Sequence, residues 1–240
     1  MHLLIPAAGM GRRMGKELEK RGLSPRNKLL LELLEKPLLA WSLLAAEAAT
    51  TIDWIGIMGQ PTDFPNFKQI LSELKLTKPV ELIVGGETRQ ESVYNGLQAL
   101  PKSAAQVLIH DGARCLATPE LFDRCSQSLS NCQGLIAAVP VKDTIKIVNE
   151  QGIIADTPDR RNLWAAQTPQ GFAVELLKSC HERGKQSGWE VTDDAALFEK
   201  CGLPVQIVRG EETNLKVTTP VDLAIAEFIL RQRLDEDLQL

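Results

Sequence analysis

Short apolar runs alternate with longer stretches of helical periodicity through the first 140 residues. The runs "HLLIP" (2–6), "WIGIMG" (54–59), "VELIVGG" (80–86), "QVLIHDGA" (106–113) and "GLIAAVP" (134–140) are separated by "PLLAWSLLAAEAA" (37–49), a helical pattern over 64–74, "RQESVYNGLQAL" (89–100) and "PELFDRCSQSL" (119–129). This is a βαβ rhythm. Its strands are almost continuously apolar, as parallel strands buried on both faces are, so the pattern predicts an α/β fold with a doubly wound, mostly parallel sheet. Ligands of such sheets sit at the carboxyl ends of the strands.

The rhythm breaks after Pro140. In "VKDTIKIVNEQGIIADTPDR" (141–160), Thr, Ile and Val alternate with polar residues on both sides of "NEQG", which signals a hairpin. A lone two-stranded hairpin is marginal in water, so this protruding β-hairpin arm is expected to pack on another subunit. Beyond it the pattern predicts a loop around "QTPQGF", a helix from about Ala173, a second helix after Thr192, a strand "PVQIV" and a last helix. That helix has Thr219 as N-cap, Pro220 at its first position and Asp222 in its first turn. Residues 1–240 read as a single domain carrying the arm.

Composition narrows the classes of function. The formal charge of -4 gives no chain-wide basic field for nucleic acid or an anionic membrane, so any anion site must be local. The five cysteines are scattered and lack a CxxC pair, and with only three histidines a Cys/His zinc site is not expected. No apolar run approaches a membrane span or a signal segment, and the chain reads as a soluble cytoplasmic protein.

Chemistry gathers at the predicted strand ends. After the first strand, "PAAGMGRRMG" has Gly9, Gly11 and Gly15 as GxGxxxG, one residue too long for a dinucleotide loop, and "WIGIMGQ" ends without the acidic ribose ligand such sites carry. A Walker loop also fails, because Glu17 follows Lys16 where Ser or Thr is required. What remains is a glycine-rich backbone with Arg12 and Arg13, suited to polyphosphate. Lys28 adds a cation, and "VGGETRQESV" supplies Gly85, Gly86 and polar groups for a base or ribose. "IHDGAR" places Asp111 where one carboxylate plus phosphate oxygens suits Mg2+. His110 beside it is not expected to act as a base, since alternation turns it away. A tight turn, a helix cap and surface charge are the ordinary alternatives for these features taken singly.

Taken in order, "PAAGMGRRMG", "NK", "GGETRQESV", "HDGAR", "PVKDTIK", "DRRNLWAAQTPQGF", "VTDDAAL" and "NLKVTTPVDL" resemble the 2-C-methyl-D-erythritol 4-phosphate cytidylyltransferases of the non-mevalonate isoprenoid pathway, from Ile5 to about Phe228. The resemblance implies a Rossmann-like nucleotidyltransferase that couples CTP and methylerythritol phosphate, with Mg2+, and releases pyrophosphate. It implies that Ala7, Ala8 and Gly9, with Gly86, Glu87 and Ser92, hold cytosine and ribose, and that Asp111 and Gly112 form the metal and nucleotide edge of the fourth strand. Arg13 and Lys28 match the transition-state stabilisers. Thr144 and Arg160 on the arm, with Thr168, Thr192 and Lys216, match residues that handle the methylerythritol phosphate or steady the triphosphate. The arm is exchanged across a homodimer in that family, so Thr144 and Arg160 would serve the neighbour's site. Departures are some eight extra residues before Lys28, Glu87 where Asp is common, and Cys115 where Pro often follows the Arg. The rival readings are a CDP-alditol pyrophosphorylase using ribitol 5-phosphate, a non-catalytic nucleotide sensor and, more remotely, a NAD-dependent reductase.

Overall fold

The structure, a computed structural model, describes residues 1–9 and 27–237. Arg13, with Arg12, Gly11 and Gly15, lies outside them. The strands of the main sheet are β1 (His2–Pro6), β4 (Trp54–Gly59), β5 (Val80–Val84), β6 (Gln106–Ile109), β7 (Gly134–Pro140), β10 (Trp164–Ala173) and β11 (Gln206–Arg209), in the order β11-β7-β10-β6-β1-β4-β5. Two short pairs stand apart from it: β2 (Glu32–Leu33) with β3 (Lys36–Pro37), and β8 (Ile147–Val148) with β9 (Ile154–Asp156). In the main sheet every pairing is parallel except those of β10, which runs against both β6 and β7.

Alternate residues of the central strands feed two separate cores, which is why the runs are apolar throughout. Leu3, Ile5, Ile55, Ile57 and Leu108 point to one face, where they meet α1 (Leu38–Ala48), α2 (Phe64–Leu74) and α4 (Pro119–Leu129). Leu4, Met58, Val107 and Ile109 point to the other, against α3 (Arg89–Ala99), α5 (Val174–Gln186) and α6 (Asp194–Lys200). Each fully buried Leu, Ile or Phe contributes about 1.5–3 kcal/mol of transfer free energy, so both faces hold the sheet. A third cluster of Leu33, Leu38, Cys115, Leu116, Val217, Ala226 and Leu230 lies under the last helix, α7 (Pro220–Asp237).

Side-chain caps fix where the helices start. The Thr88 hydroxyl accepts from the Glu91 N–H at the head of α3 and Thr118 from Leu121 at α4, while the Asp193 carboxylate accepts from Ala196 at α6. At α7, Thr219 Oγ1 accepts from the Asp222 N–H, as its sequence predicts.

One predicted element differs. The segment "QTPQGF" is not a loop but the middle of β10. Pro169 falls in a bulge between Ala166 and Gln170, where the pairing with β7 shifts register, and Gly171 beyond it pairs regularly with Leu135 and Leu108. Proline is accommodated at such bulges because no ladder N–H is needed there. The bulge turns Gln167 and Thr168 inward, and both are buried.

The arm forms as its alternation predicts. Asn149 shapes the turn: its side chain accepts from the Gln151 and Ile153 N–H groups, and Gly152 takes the left-handed conformation the turn needs. Ile145, Ile147, Val148, Ile153 and Ile154 are all exposed on it.

Candidate active site

The chain runs from β1 outward to β4 and β5, then returns to place β6 on the other side of β1. That reversal opens a crevice at the carboxyl ends of the strands. The segments leaving β1, β5 and β6 line it, together with Lys28 and the stretch before α7, around a cavity of about 290 Å³. Ala7, Ala8, Gly9, Lys28, Gly86, Glu87, Ser92, Asp111, Gly112 and Lys216, named separately from the sequence, meet here.

Small residues let the backbones approach. The Ala7 N–H donates to the Met58 carbonyl at 2.7 Å and the Gly85 N–H to the Gly59 carbonyl at 2.9 Å, locking the loops to β4. A Cβ at Gly85 would stand 2.6 Å from Ala8 Cβ and 3.1 Å from Ser92 Oγ. Among the described residues a Cβ at Gly9 would meet nothing within 4 Å. Ser92 is buried; its hydroxyl accepts from the Gly86 N–H at 3.0 Å and donates to the Thr88 carbonyl at 2.8 Å. We expect Gly85→Val to lose about 1–3 kcal/mol of stability through overpacking and, by displacing the loop, up to about a hundredfold in kcat/KM for CTP. Unchanged kinetics in a folded variant would show that the nucleotide does not lie against this loop.

The charges at the cleft are paired in a chain. Lys216 Nζ lies 2.5 Å from Asp111 Oδ2, Arg89 Nε 3.3 Å from Asp111 Oδ1, and Arg89 Nη1 2.8 Å from Asp194 Oδ2. Burial alone would raise the Asp111 carboxyl, but Arg89 and Lys216 outweigh it and hold the group well below the usual carboxylate range. Asp111 is therefore an anion throughout the physiological range. Lys28 Nζ donates to the Val217 carbonyl at 3.0 Å, so both lysines border the same wall. Asn27 braces that wall, donating to the Ala7 carbonyl at 2.7 Å and to Asp63 Oδ2 at 2.8 Å while accepting from the Leu29 N–H.

His110 is fully buried behind Asp111, and burial pushes its imidazole down to about 4. Its Nε2 faces the Arg114 carbonyl, which can only accept, so Nε2 carries the proton and Nδ1 accepts from the Thr168 hydroxyl. Thr168 Oγ1 in turn accepts from the Asp111 N–H at 3.0 Å. Thr168 thus sits behind the cleft and orients the Asp111 backbone.

Other sequence-predicted residues stand apart. Thr192 is exposed just before α6, and Thr144 and Arg160 are exposed on the arm, where the Arg160 guanidinium donates to the Lys142 carbonyl at 2.8 Å. In turn, the strand-end reading passes over Arg89, Asn27 and Arg114. Arg114 ties the β6 exit to the distant Asn214 and Ala166 carbonyls. Arg89 left one signal: it opens α3, where a cation opposes the helix dipole and so needs a partner elsewhere.

The donor set bears on magnesium. Among the described residues no three His, Cys, Asp or Glu side chains converge, and Asp111 offers hard carboxylate oxygen, which suits a cation held chiefly by phosphates with one protein ligand.

Comparison with known proteins agrees with this arrangement. Residues 1–232 match the family model described as IspD, 2-C-methyl-D-erythritol 4-phosphate cytidylyltransferase. The protein of that name from Crocosphaera subtropica is 73% identical over 233 residues, covering 97% of this chain and 99% of the relative. That from Acaryochloris marina is 68% identical over 239 residues, covering 100% of this chain and 98% of the relative. Among solved structures, the 4-diphosphocytidyl-2C-methyl-D-erythritol synthase of Anaerococcus prevotii superimposes with a TM-score of 0.83 at 31% identity, over 96% of this chain and 97% of that one. The cytidylyltransferase of Thermus thermophilus gives 0.73 at 30%, over 95% and 98%. Fold and sequence agree, and the chain belongs to the 2-C-methyl-D-erythritol 4-phosphate cytidylyltransferase family.

Proposed function

We propose that the protein joins CTP and 2-C-methyl-D-erythritol 4-phosphate to 4-CDP-2-C-methyl-D-erythritol and pyrophosphate, the substrate phosphate attacking the CTP α-phosphorus directly. One P–O bond forms at that phosphorus and the bridging bond to the β-phosphate breaks. The monoester dianion is already a nucleophile near neutral pH, so the protein need not supply one. What it must do is screen like charges, align the reactants and stabilise charge on the five-coordinate phosphorus.

The observation that carries the reading is the convergence of Lys28 and Lys216 with the Gly86, Asp111 and Ala8 strand ends about one cleft. Gly9 and Ala8 are small enough to admit a nucleotide, Ser92 braces the Gly86 turn, and Lys216 and Lys28 provide the positive charge; Arg13, outside the described residues, is given the same task through the resemblance. Asp111 would be the residue to hold a magnesium ion, which would supply further charge neutralisation. His110 is enclosed and neutral, which fits a reaction without an obligatory proton transfer.

The exposed isoleucines and valine of the arm fit a surface meant for a second copy of the chain. A homodimer would then bring Thr144 and Arg160 of one protomer to the methylerythritol phosphate in its partner, with Thr192 and Thr168 on the receiving side. Among the described residues no helix is long and apolar enough to cross a membrane. Cytoplasmic residence goes with this reading, and the five free cysteines suit a reducing compartment.

The purified protein is expected to release pyrophosphate from CTP far faster with methylerythritol phosphate than with ribitol 5-phosphate. A coupled phosphate assay measures both, and the reverse ranking would make it a CDP-alditol pyrophosphorylase. CTP binding without turnover on either would make it a sensor.

A further inference from the structure

We infer that Asp194 is a positioning residue for the transfer: it anchors Arg89 so that the guanidinium aligns Asp111 and is kept off the triphosphate. This rests on reading the cleft as the CTP site. Asp194 does not line that cleft. It lies at the start of α6, 1% exposed, in the layer that packs on α5. Its carboxylate nonetheless reaches the cleft through one residue, because Arg89 spans from Asp194 Oδ2 at 2.8 Å to Asp111 Oδ1 at 3.3 Å.

The anchor is itself fixed. The N–H groups of Asp194 and Ala195 both donate to Gln170 Oε1 at 3.2 Å, and the adjacent Asp193 caps the helix, so the backbone cannot swing. The second carboxylate oxygen, Oδ1, faces His181 Nε2 at 3.5 Å, and His181 is likewise buried. Arg89, by contrast, keeps 27% of its side chain exposed and lines the cleft. Its guanidinium is a planar fork suited to bidentate phosphate contacts. Released from Asp194, it would stand beside Lys28 and Lys216 as a further phosphate ligand. Contacts made equally in the bound substrate and the transition state tighten binding without raising turnover. Holding Arg89 between two carboxylates avoids that, and it leaves Asp111 fixed by one nitrogen on each oxygen.

The prediction has an unusual sign. In Asp194→Asn, kcat should fall about tenfold or more while the dissociation constant for CTP, measured calorimetrically, stays equal or becomes tighter. A defect of packing alone would weaken CTP binding, and that result, or an unchanged kcat, overturns the inference. Because Asp194 acts only through Arg89, the double variant Arg89→Gln/Asp194→Asn should be no slower than Arg89→Gln. Multiplied losses overturn it. The double variant removes both charges of the pair together, so this comparison stands even where the single Asp194 variant does not fold. If a folded Gly85→Val leaves CTP affinity untouched, the nucleotide lies elsewhere and both readings fall. A normal Gly85 effect with multiplied losses removes only the role given to Asp194.

Discussion

Lys216→Met is expected to lower kcat roughly a hundredfold or more while CTP binding weakens much less. The ammonium sits 2.5 Å from Asp111 Oδ2 beside the cleft, where the proposed mechanism would have charge develop on the five-coordinate phosphorus. Removing one preorganised donor of this kind typically costs about 3 kcal/mol of transition-state stabilisation. Methionine keeps an unbranched apolar stem and removes the charge. The loss should also be flat with pH. Asp111 is held well below the usual carboxylate range, so the stability its ion pairs contribute is complete above the unfolded value of about 4 and is lost only as pH falls through the lower folded one. Between pH 6 and 9 Asp111 keeps its charge, and wild type and variant should give parallel profiles in a steady-state assay. A variant with wild-type turnover would remove Lys216 from the reaction.

Complementation gives the second large effect. If Arg160 serves the neighbouring protomer, neither Arg160→Ala nor Lys216→Met is active alone, yet a random mixture of the two chains should recover about a quarter of wild-type activity. Half the dimers are then mixed, and one of the two sites in each contains an intact body and an intact arm, following from the two-fold symmetry of such an assembly. With Arg160 acting on its own protomer, both sites of every mixed dimer are defective and the mixture stays near zero. The apolar face of the arm is the physical basis for expecting such an exchange: five of its Ile and Val side chains stay exposed among the described residues.

The sheet was legible because its signal is local. Leu3, Leu4 and Ile5 announce a strand buried on two faces without reference to any other residue, and the hairpin declares itself through "NEQG". The strand ends could be ranked as site elements for the same reason, since doubly wound sheets bind there. Ala8, Gly86, Asp111 and Lys216 were found in that way or through resemblance. What escaped depends on partners on other elements, brought together only by the tertiary fold. Asp194 lies in the quoted "VTDDAAL", but its meeting with Arg89 follows from the packing of α6 beside α3, which no periodicity records. The Thr168 hydroxyl reaches Asp111 across 57 residues of sequence. It does so only because β10 is a strand, whereas Pro169 and Gly171 argue locally for a loop. The reading erred where a tertiary bulge overrides turn chemistry.

The wall that both lysines border has a consequence for how the protein is made. Lys28 Nζ meets the Val217 carbonyl across 189 residues, and Lys216 closes a cleft whose floor is laid by residues 6–9. On the ribosome, β1 is made long before Lys216, so a chain that carries only the glycine loops still lacks that cation. With the cleft read as the CTP site, competence for nucleotide waits until the stretch before α7 has been made and has folded against residues 6–9.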